Sequence, residues 1–243
     1  MDKKFAQNIL KRTCQNYSLI AQSFSSKRMY LWSGIKRLKK FCVHGDRVLD
    51  IGCGNGRLLE LFNGLELDYI GIDSCPELIE EARQIYEKKQ KSLKVKTFKF
   101  LIADALNLFF RDNSFDKIFS IAVLHHIPSK ELRMKFLEQA KKTLKPKGLL
   151  IISVWNLWQR KFWKYHIKYF FLKIIGKSKL DFKDIFYPWK NEHGKIVAQR
   201  YLHCFSLNEL TKLSKRAGFN IKEQGYLSNK KQNLYLVLEK MDN

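Results

Sequence analysis

The 243-residue chain has few acidic residues, with 23 Asp and Glu against 46 Lys and Arg, and its formal net charge is +23. A positive field of this size on a chain this short concentrates polyanions around it. Nucleic acid is the leading candidate partner and an anionic membrane is the second. The alternative is a composition bias in which the lysine head groups are simply solvated.

Long apolar runs are also missing, and none approaches the roughly 20 residues that a bilayer crossing requires. Positions 1–4 carry two lysines and begin no apolar signal core. We therefore expect a cytoplasmic chain without stable membrane insertion. The cysteines are few, odd in number and scattered, which excludes a disulfide framework and a zinc knuckle as readings. They are Cys14, Cys42, Cys53, Cys75 and Cys204.

The composition that is present suits a globular protein, with 45% hydrophobic, 14% aromatic and 28% charged residues. These values exclude the disordered, collagen-like and coiled-coil classes. We interpret the chain as a single domain of 1–243. Its predicted parts are an N-terminal helical cap (1–45), a core (46–155), an inserted helical and irregular segment (156–205), and a C-terminal helix with edge strands (206–243).

Short apolar runs alternate with helix-like segments in the core, and they suit buried parallel strands. The runs lie at 48–51, 69–72, 98–102, 115–122 and 149–154. This alternation predicts an α/β fold with a doubly wound, mostly parallel sheet. Two later runs at 220–225 and 233–239 alternate in hydropathy, which predicts antiparallel edge strands and brings the sheet to seven strands.

The helices are predicted from their capping residues. Pro76 suits the first turn of a helix, and Ser129 suits the N-cap of a helix over 130–144. A helix over 206–217 precedes Gly218. Further helices are predicted at 3–15 and 30–41, where they would cover one mouth of the sheet, and at 156–176, whereas 177–205 reads as irregular.

The segment 48–56 is the most informative, because an apolar strand that carries Asp50 is followed by glycines at three alternate positions. Gly52, Gly54 and Gly56 permit a tight turn and let a ligand lie against bare backbone. A dinucleotide site would space its glycines as G-x-G-x-x-G to seat a diphosphate. Here the spacing is G-x-G-x-G, and the carboxylate of Asp50 would repel a diphosphate.

This segment resembles motif I of the class I S-adenosylmethionine-dependent methyltransferases, which are Rossmann-like proteins. The resemblance implies that S-adenosyl-L-methionine is the cofactor, and that Asp50 helps to hold its amino group. It also implies that Asp73, at the end of the second strand, accepts the ribose hydroxyls, for which its two oxygens suit it. Asp104, after the third strand, would bind the adenine amino group, and Ala105 and Ile121 complete the implied cofactor site.

The fourth strand ends in His125 and His126, for which three readings stay open: a contact with the methyl acceptor, a general base, or packing at a strand end. Adjacent residues on an extended strand point to opposite sides, and no third ligand accompanies the pair. We therefore expect no metal site. Methyl transfer is an in-line displacement that depends mostly on alignment. An ionised carboxylate acceptor needs no base, only cationic groups that hold it.

Further segments are similar to those of the eukaryotic-type tRNA wobble-uridine methyltransferases, which esterify 5-carboxymethyluridine at anticodon position 34. They lie at 103–108, 111–116, 120–126, 187–189 and 199–205. The resemblance implies that the anticodon loop of tRNA is the partner, with a small zinc-binding activator subunit as a possible second one. By position it implies roles around substrate and cofactor for Arg28, Asp73, one of His125 and His126, and Arg200.

Two alternatives to this function stay open. One is a small-molecule or quinone/lipid O-methyltransferase at a membrane surface, and the other is a non-catalytic RNA-binding protein of the same fold. The segment 158–183 bears on them, because it mixes aromatic side chains with Arg and Lys. It could stack unpaired bases, lie on an anionic membrane, or form helical core.

Overall fold

The computed structural model describes residues 1–28 and 30–241. Position 29 of the predicted cap and positions 242–243 of the predicted C-terminal segment lie outside the described residues. The strands are β1 (Arg47–Ile51), β2 (Asp68–Asp73), β3 (Thr97–Ile102), β4 (Phe115–Ile121), β5 (Leu144–Trp155), β6 (Asp184–Lys190), β7 (Ile196–His203), β8 (Phe219–Tyr226) and β9 (Asn233–Lys240). The α-helices are α1 (Lys3–Lys27), α2 (Ser33–Lys36), α3 (Pro76–Lys89), α4 (Lys130–Thr143), α5 (Trp163–Ile174) and α6 (Leu207–Arg216).

Seven strands form one sheet in the order β3-β2-β1-β4-β5-β9-β8. β1 pairs in parallel with both β2 and β4, so the strand order reverses beside it. β9 runs antiparallel to β5 and β8, as the alternating pattern predicts. The doubly wound, mostly parallel sheet of seven strands is confirmed. In such sheets a ligand binds at the carboxyl ends of the strands, where the order reverses.

Two apolar cores cover the two faces of the sheet. One contains Phe136 and Leu137 of α4 with Leu210 of α6, and the other contains Ile79 and Tyr86 of α3. The predicted caps are present, since the hydroxyl of Ser129 accepts a hydrogen bond from the backbone N–H of Leu132, and that of Ser206 from Glu209. No helix in the described part of the chain is long and apolar enough to span a bilayer.

The N-terminal cap is longer than predicted in its first helix and less regular in its second. α1 extends 12 residues past position 15 to Lys27, and Asp2 caps its start by accepting from the backbone N–H of Lys4. The second predicted helix is the short α2 followed by a 3-10 helix, Arg37–Phe41. α1 packs against α3 and β7, and so lies over the carboxyl end of the sheet.

The prediction of irregular structure over 177–205 is wrong for most of that segment, because β6 and β7 form an antiparallel hairpin there. Asn191 organises the turn, with its side-chain oxygen accepting from the backbone N–H groups of His193 and Lys195. Pro188 interrupts the run that forms β6, and a proline inside a run argues against a strand unless the strand lies at an edge. The helix predicted at 156–176 is shorter, and a 3-10 turn, Arg160–Phe162, leads into α5.

Candidate active site

The glycine loop after β1 turns sharply into a 3-10 helix, Arg57–Phe62, rather than a regular α-helix. Gly52, Gly54 and Gly56 have φ angles of +74°, +56° and +77°, a region that other residues rarely adopt. Gly52 is also closed in from the side, because a Cβ there would overlap the side chain of Val123 at the end of β4. The loop is therefore held tightly against the neighbouring strand end.

A cavity of about 470 Å³ lies beside this loop, at the carboxyl ends of β1, β2 and β4. That volume is in the usual range for small-molecule sites. Nine of the predicted site residues line it: Arg28, Asp50, Gly52, Gly54, Asp73, Asp104, Ala105, Ile121 and His126. α1 closes one side of the cavity with Cys14, Tyr17 and Phe24.

Three predicted residues lie outside the lining of this cavity: Gly56, His125 and Arg200. The role of Gly56 in cofactor binding stays a prediction, and the structure adds a packing reason for glycine there, because its bare α-carbon faces packed aromatic rings. A Cβ at Gly56 would come within 2.6 Å of Phe100 and 3.1 Å of Tyr86. The packing of the core is therefore sufficient to require glycine at this position.

Asp50 is fully buried at the floor of the cavity. One carboxylate oxygen accepts a hydrogen bond of 2.7 Å from the hydroxyl of Tyr69, and the other oxygen has no partner among the described residues. Burial raises the pKa of Asp50 to about 7. Because an unpaired buried acceptor is costly, this oxygen is suited to a donor that arrives with a ligand.

Asp73 is fixed by the backbone at the end of β2. Its two oxygens accept from the N–H groups of Cys75 at 2.9 Å and Gly54 at 3.0 Å. Burial raises the pKa of Asp73, and these backbone hydrogen bonds oppose the rise. Each oxygen keeps acceptor capacity for a ligand hydroxyl. Asp104 lies at the exposed rim, where it accepts from the N–H of Leu106 at 2.8 Å.

The histidine pair is not on an extended strand, which corrects the predicted geometry. His125 and His126 lie in a 3-10 turn, Leu124–His126, and their ring centroids are 4.4 Å apart instead of on opposite sides of a strand. The turn brings both rings towards Trp155 at the end of β5. Within residues 1–28 and 30–241, no group of three or more His, Cys, Asp or Glu side chains could hold a metal ion.

The hydrogen bonds of His126 define its state. Its Nδ1 lies 3.1 Å from the backbone carbonyl of Tyr201 and therefore carries the proton, so its Nε2 accepts from the hydroxyl of Tyr17 at 2.9 Å. Burial, and next the charge of Arg200, lower the pKa of His126 to about 3. Burial also holds the pKa of His125 well below its ordinary value. Both rings are thus neutral near pH 7.

Arg200 lies in an aromatic cage next to the cavity. Its guanidinium carbon is 4.9 Å from the ring centroid of Trp189, 5.1 Å from that of Trp155 and 5.6 Å from that of Tyr187. The register of the hairpin explains the cage, because Tyr187 pairs with Arg200 and Trp189 follows two residues later on the same face. The side chain is 3% exposed, and its Nε and Nη1 have no hydrogen-bond partner within residues 1–28 and 30–241.

Arg28, at the C-terminal end of α1, approaches the same cage from the cavity. Its guanidinium carbon lies 5.6 Å from the ring of Phe24 and 5.9 Å from that of Trp155, so Trp155 contacts both arginines. Burial lowers the pKa of Arg28, and the nearby positive charge of Arg200 lowers it further. Neither arginine has a carboxylate partner in the part of the chain that the structure describes.

Sequence reasoning missed Tyr17 and Trp155 as site residues. Tyr17 is one aromatic on a long amphipathic helix, and no local pattern marks it. Trp155 offered a signal, because it directly follows the fifth predicted strand (149–154), at the same sheet edge as Asp50, Asp73 and His126. Trp189 belongs to a segment that carries the resemblance, but only the hairpin register assigns it to the cage.

The residues present fit an S-adenosyl-L-methionine site. The unpaired oxygen of Asp50 suits the amino group of the methionine part, and Asp73 has spare acceptor capacity for two ribose hydroxyls. Asp104 at the rim, followed by Ala105, suits the adenine end. Fold and cavity together define a Rossmann-like protein that binds a nucleoside cofactor at the carboxyl end of β1.

Comparison with known proteins identifies the family to which the chain belongs. A family model described as a methyltransferase domain matches residues 43–201. The chain belongs to this methyltransferase family, and S-adenosyl-L-methionine is its cofactor. The resemblance to the class I methyltransferases is thereby confirmed.

Several curated relatives are named as tRNA enzymes. The tRNA (carboxymethyluridine(34)-5-O)-methyltransferase of Schizosaccharomyces pombe is 28% identical over 244 residues, covering 93% of this chain and 95% of the relative. The human "Probable tRNA methyltransferase 9B" is 31% identical over 160 residues. That match covers 66% of this chain but only 32% of the human protein, and the bovine protein of the same name is likewise covered to 32%.

Solved structures show the same fold. An S-adenosylmethionine-dependent methyltransferase from Methanosarcina mazei superimposes with a TM-score of 0.67 at 22% identity, covering 88% of this chain and 100% of that one. A methyltransferase from a complex with the Haloferax volcanii Trm112 methyltransferase activator gives a TM-score of 0.65 at 17% identity. This second match covers 95% of this chain and 98% of that chain.

Proposed function

We propose that this methyltransferase esterifies the carboxymethyl group of 5-carboxymethyluridine at the wobble position of tRNA. The observation that carries the proposal is the buried guanidinium of Arg200, whose Nε and Nη1 lack partners inside the cage of Trp155, Tyr187 and Trp189. A buried charge without a counter-charge is costly. A carboxylate in the acceptor place supplies the missing charge and the missing acceptors together.

The other unpaired groups around the cage support an anionic acceptor, because they are also donors. Trp189 Nε1 has no partner. His125 Nδ1 faces the backbone N–H of Trp155 at 3.5 Å, which leaves its unpartnered Nε2 with the proton. An ionised carboxylate or phosphate only accepts hydrogen bonds, and therefore complements a lining of donors.

When bound, S-adenosyl-L-methionine supplies a methyl group on a sulfonium sulfur. The reaction joins a carboxylate oxygen to the methyl carbon, and the electron pair of the broken sulfur–carbon bond returns to sulfur. Arg28 and Arg200 would hold the acceptor carboxylate in its ionised form, which needs no general base. His126 fits a positioning role, because its pKa of about 3 makes it a weak base and its Nε2 already accepts from Tyr17.

The proposal assigns the anticodon loop of tRNA as substrate, in agreement with the activity for which the fission yeast relative is named. The net charge of +23 favours a polyanionic partner. The proposal also includes an activator subunit as a second partner, because the chain resembles a methyltransferase from a complex with such an activator. Cytoplasmic localisation belongs to the same proposal, and imaging of the tagged full chain tests it.

A second candidate function is methylation of a small-molecule or lipid carboxylate or hydroxyl at a membrane surface. The observation in its favour is the apolar surface of α5, in which five large apolar side chains are exposed. The donor-lined acceptor side fits any small carboxylate, so the two candidates differ in substrate and not in the chemistry of the site.

Transfer of labelled methyl groups distinguishes these candidates. Purified protein is incubated with labelled S-adenosyl-L-methionine and either tRNA that carries 5-carboxymethyluridine or the same tRNA with unmodified uridine at position 34. We expect label only in the first tRNA, released by mild alkali because it is an ester. Protein that binds the cofactor but leaves the first tRNA unlabelled, with and without a co-expressed activator, refutes the proposal.

A further inference from the structure

α5 exposes a continuous apolar stripe on the outer face of the molecule. The stripe consists of Trp163, Ile167, Phe170, Phe171 and Ile174, which are each 51–60% exposed. At 3.6 residues per turn, these five positions fall within about 100° of the circumference of the helix. A stripe of that width normally faces a core, yet no residue of α5 is fully buried.

The opposite face of α5 already has its partners within the protein. Tyr165 and Tyr169 are partly buried, and their rings contact Tyr187 at 5.1 Å and Phe186 at 6.1 Å between centroids, both on β6. The apolar stripe is therefore left over after the helix has packed. Phe182 continues it on the neighbouring segment, where its ring lies 6.1 Å from that of Phe170 and is 57% exposed.

Positive charges border the stripe on both sides. By helical position Lys164 and Lys168 flank one edge and Lys173 the other, and the segment 156–180 has seven Lys and Arg but no acidic residue. In the described part of the chain, no lysine of α5 forms an ion pair with a carboxylate. Their charges are available to an external anionic partner.

We propose that α5 docks the protein onto the surface of an anionic phospholipid bilayer. An apolar stripe bordered by lysines lies in the plane of the interface, with its apolar side chains among the acyl chains and its ammonium groups at the phosphates. The branched side chains Ile167 and Ile174 offer no flat face for stacking on nucleic-acid bases, which favours lipid over RNA at this surface. The inference is independent of which acceptor is methylated.

Vesicle flotation of the full-length protein tests the docking. The vesicles contain phosphatidylcholine alone or phosphatidylcholine with about 30% phosphatidylglycerol, whose negative charge gives the vesicle a negative surface potential. We expect flotation with the anionic vesicles only. The double variant Phe171→Ser/Ile174→Ser should lower the partition coefficient by at least about tenfold, since both side chains lose their apolar burial in the bilayer.

Matched controls separate the stripe from general effects. Phe109→Ser removes a 65% exposed aromatic away from α5 and should leave flotation unchanged. Lys164→Glu/Lys168→Glu should weaken flotation, whereas Lys88→Glu/Lys91→Glu changes the net charge equally on a different surface and should have a smaller effect. All variants should bind S-adenosyl-L-methionine as the unmodified chain does, which shows that they are folded.

Three results overturn the proposal. The first is an absence of flotation, or equal flotation with neutral and anionic vesicles. The second is a stripe variant that loses tRNA binding but keeps vesicle binding, which assigns the surface to RNA. The third is a dimer, seen by sedimentation, that the stripe substitutions dissociate while vesicle binding persists, which assigns the surface to a second copy of the chain.

Discussion

The hydroxyl of Tyr17 donates a hydrogen bond of 2.9 Å to Nε2 of His126 and so joins α1 to the end of β4. Through its other nitrogen the same imidazole donates to the backbone carbonyl of Tyr201 on β7. One neutral ring thereby links the N-terminal cap, the sheet and the hairpin at the edge of the cavity. A substitution of Tyr17 therefore tests whether this hydrogen bond holds α1 over the cofactor site.

Tyr17→Phe should lower the free energy of unfolding by about 1–3 kcal/mol, because it leaves the buried Nε2 of His126 without a donor. Chemical denaturation measures the loss. Tyr30→Phe is the matched control, since Tyr30 is 83% exposed, and it should change stability by less than about 0.5 kcal/mol. Equal effects of the two variants would show that the bond does not hold α1 in place.

Asp50→Asn should stabilise the cofactor-free protein, relative to the unmodified chain, and this stabilisation should be larger at pH 8 than at pH 5. Burial raises the pKa of Asp50 from 3.8 to about 7, so the folded state holds the proton more tightly than the unfolded state. The contribution of Asp50 to the free energy of unfolding of the unmodified chain therefore falls as the pH rises from about 4 to about 7. Between pH 5 and pH 8 the loss covers the roughly two pH units below the folded pKa of about 7, which correspond to at most about 3 kcal/mol.

Denaturation at pH 5 and pH 8 measures this difference between Asp50→Asn and the unmodified chain. The control is Asp116→Asn, because hydrogen bonding by Lys145 and Arg47, against the effect of burial, holds the pKa of Asp116 below its ordinary value. Its effect should not change between these two pH values. Cofactor affinity, measured by calorimetry, should fall in Asp50→Asn alone. If the free energies of unfolding of Asp50→Asn and the unmodified chain changed with pH in parallel, the raised pKa of the buried Asp50 would be contradicted.

Arg200→Met should lower methyl transfer by about 30- to 1000-fold, since losing a buried charge contact costs about 2–4 kcal/mol. Cofactor affinity should stay within about twofold, because Arg200 does not line the cofactor cavity. Stability should change by less than about 1.5 kcal/mol, since relief of the buried charge offsets the loss of its contacts with the aromatic rings. Arg216→Met, on an exposed position of α6, should leave activity unchanged. Weaker binding of the cofactor with unchanged binding of the methyl acceptor would contradict the assignment of Arg200 to the acceptor.

Gly52→Ala should destabilise the protein more than Gly45→Ala does. Both glycines have positive φ angles, +74° and +84°, so both substitutions carry a backbone penalty of about 1 kcal/mol. Only at Gly52 does a Cβ meet a neighbour, the side chain of Val123, whereas Gly45 has open space around it. Adding Val123→Ala to Gly52→Ala should recover part of the extra loss. A double-mutant cycle of unfolding free energies gives the coupling, and a value near zero would contradict the close packing.

The sheet and most of the cofactor site could be predicted because their signals are local. Apolar runs predicted each strand of the main sheet, and Asp50, Asp73 and Asp104 lie at or next to the carboxyl ends of three successive strands. Parallel strands in such a fold bring their carboxyl ends to one edge, so residues distant in the chain are placed together by the fold class alone. The caps Ser129 and Ser206 are equally local, since each bonds to a backbone N–H three residues on.

The sequence alone determined the fold class and the acidic glycine loop, because hydropathy period, capping and glycine spacing act over a few residues. Long-range packing accounts for the rest: Arg200 stands in a cage of three aromatic rings, Tyr17 reaches His126, and Gly56 packs against the core. These relationships join positions as far apart as Tyr17 and His126, which are 109 residues apart in the chain. No periodicity encodes such a pair, since the contact exists only after α1, the sheet and the hairpin have packed together.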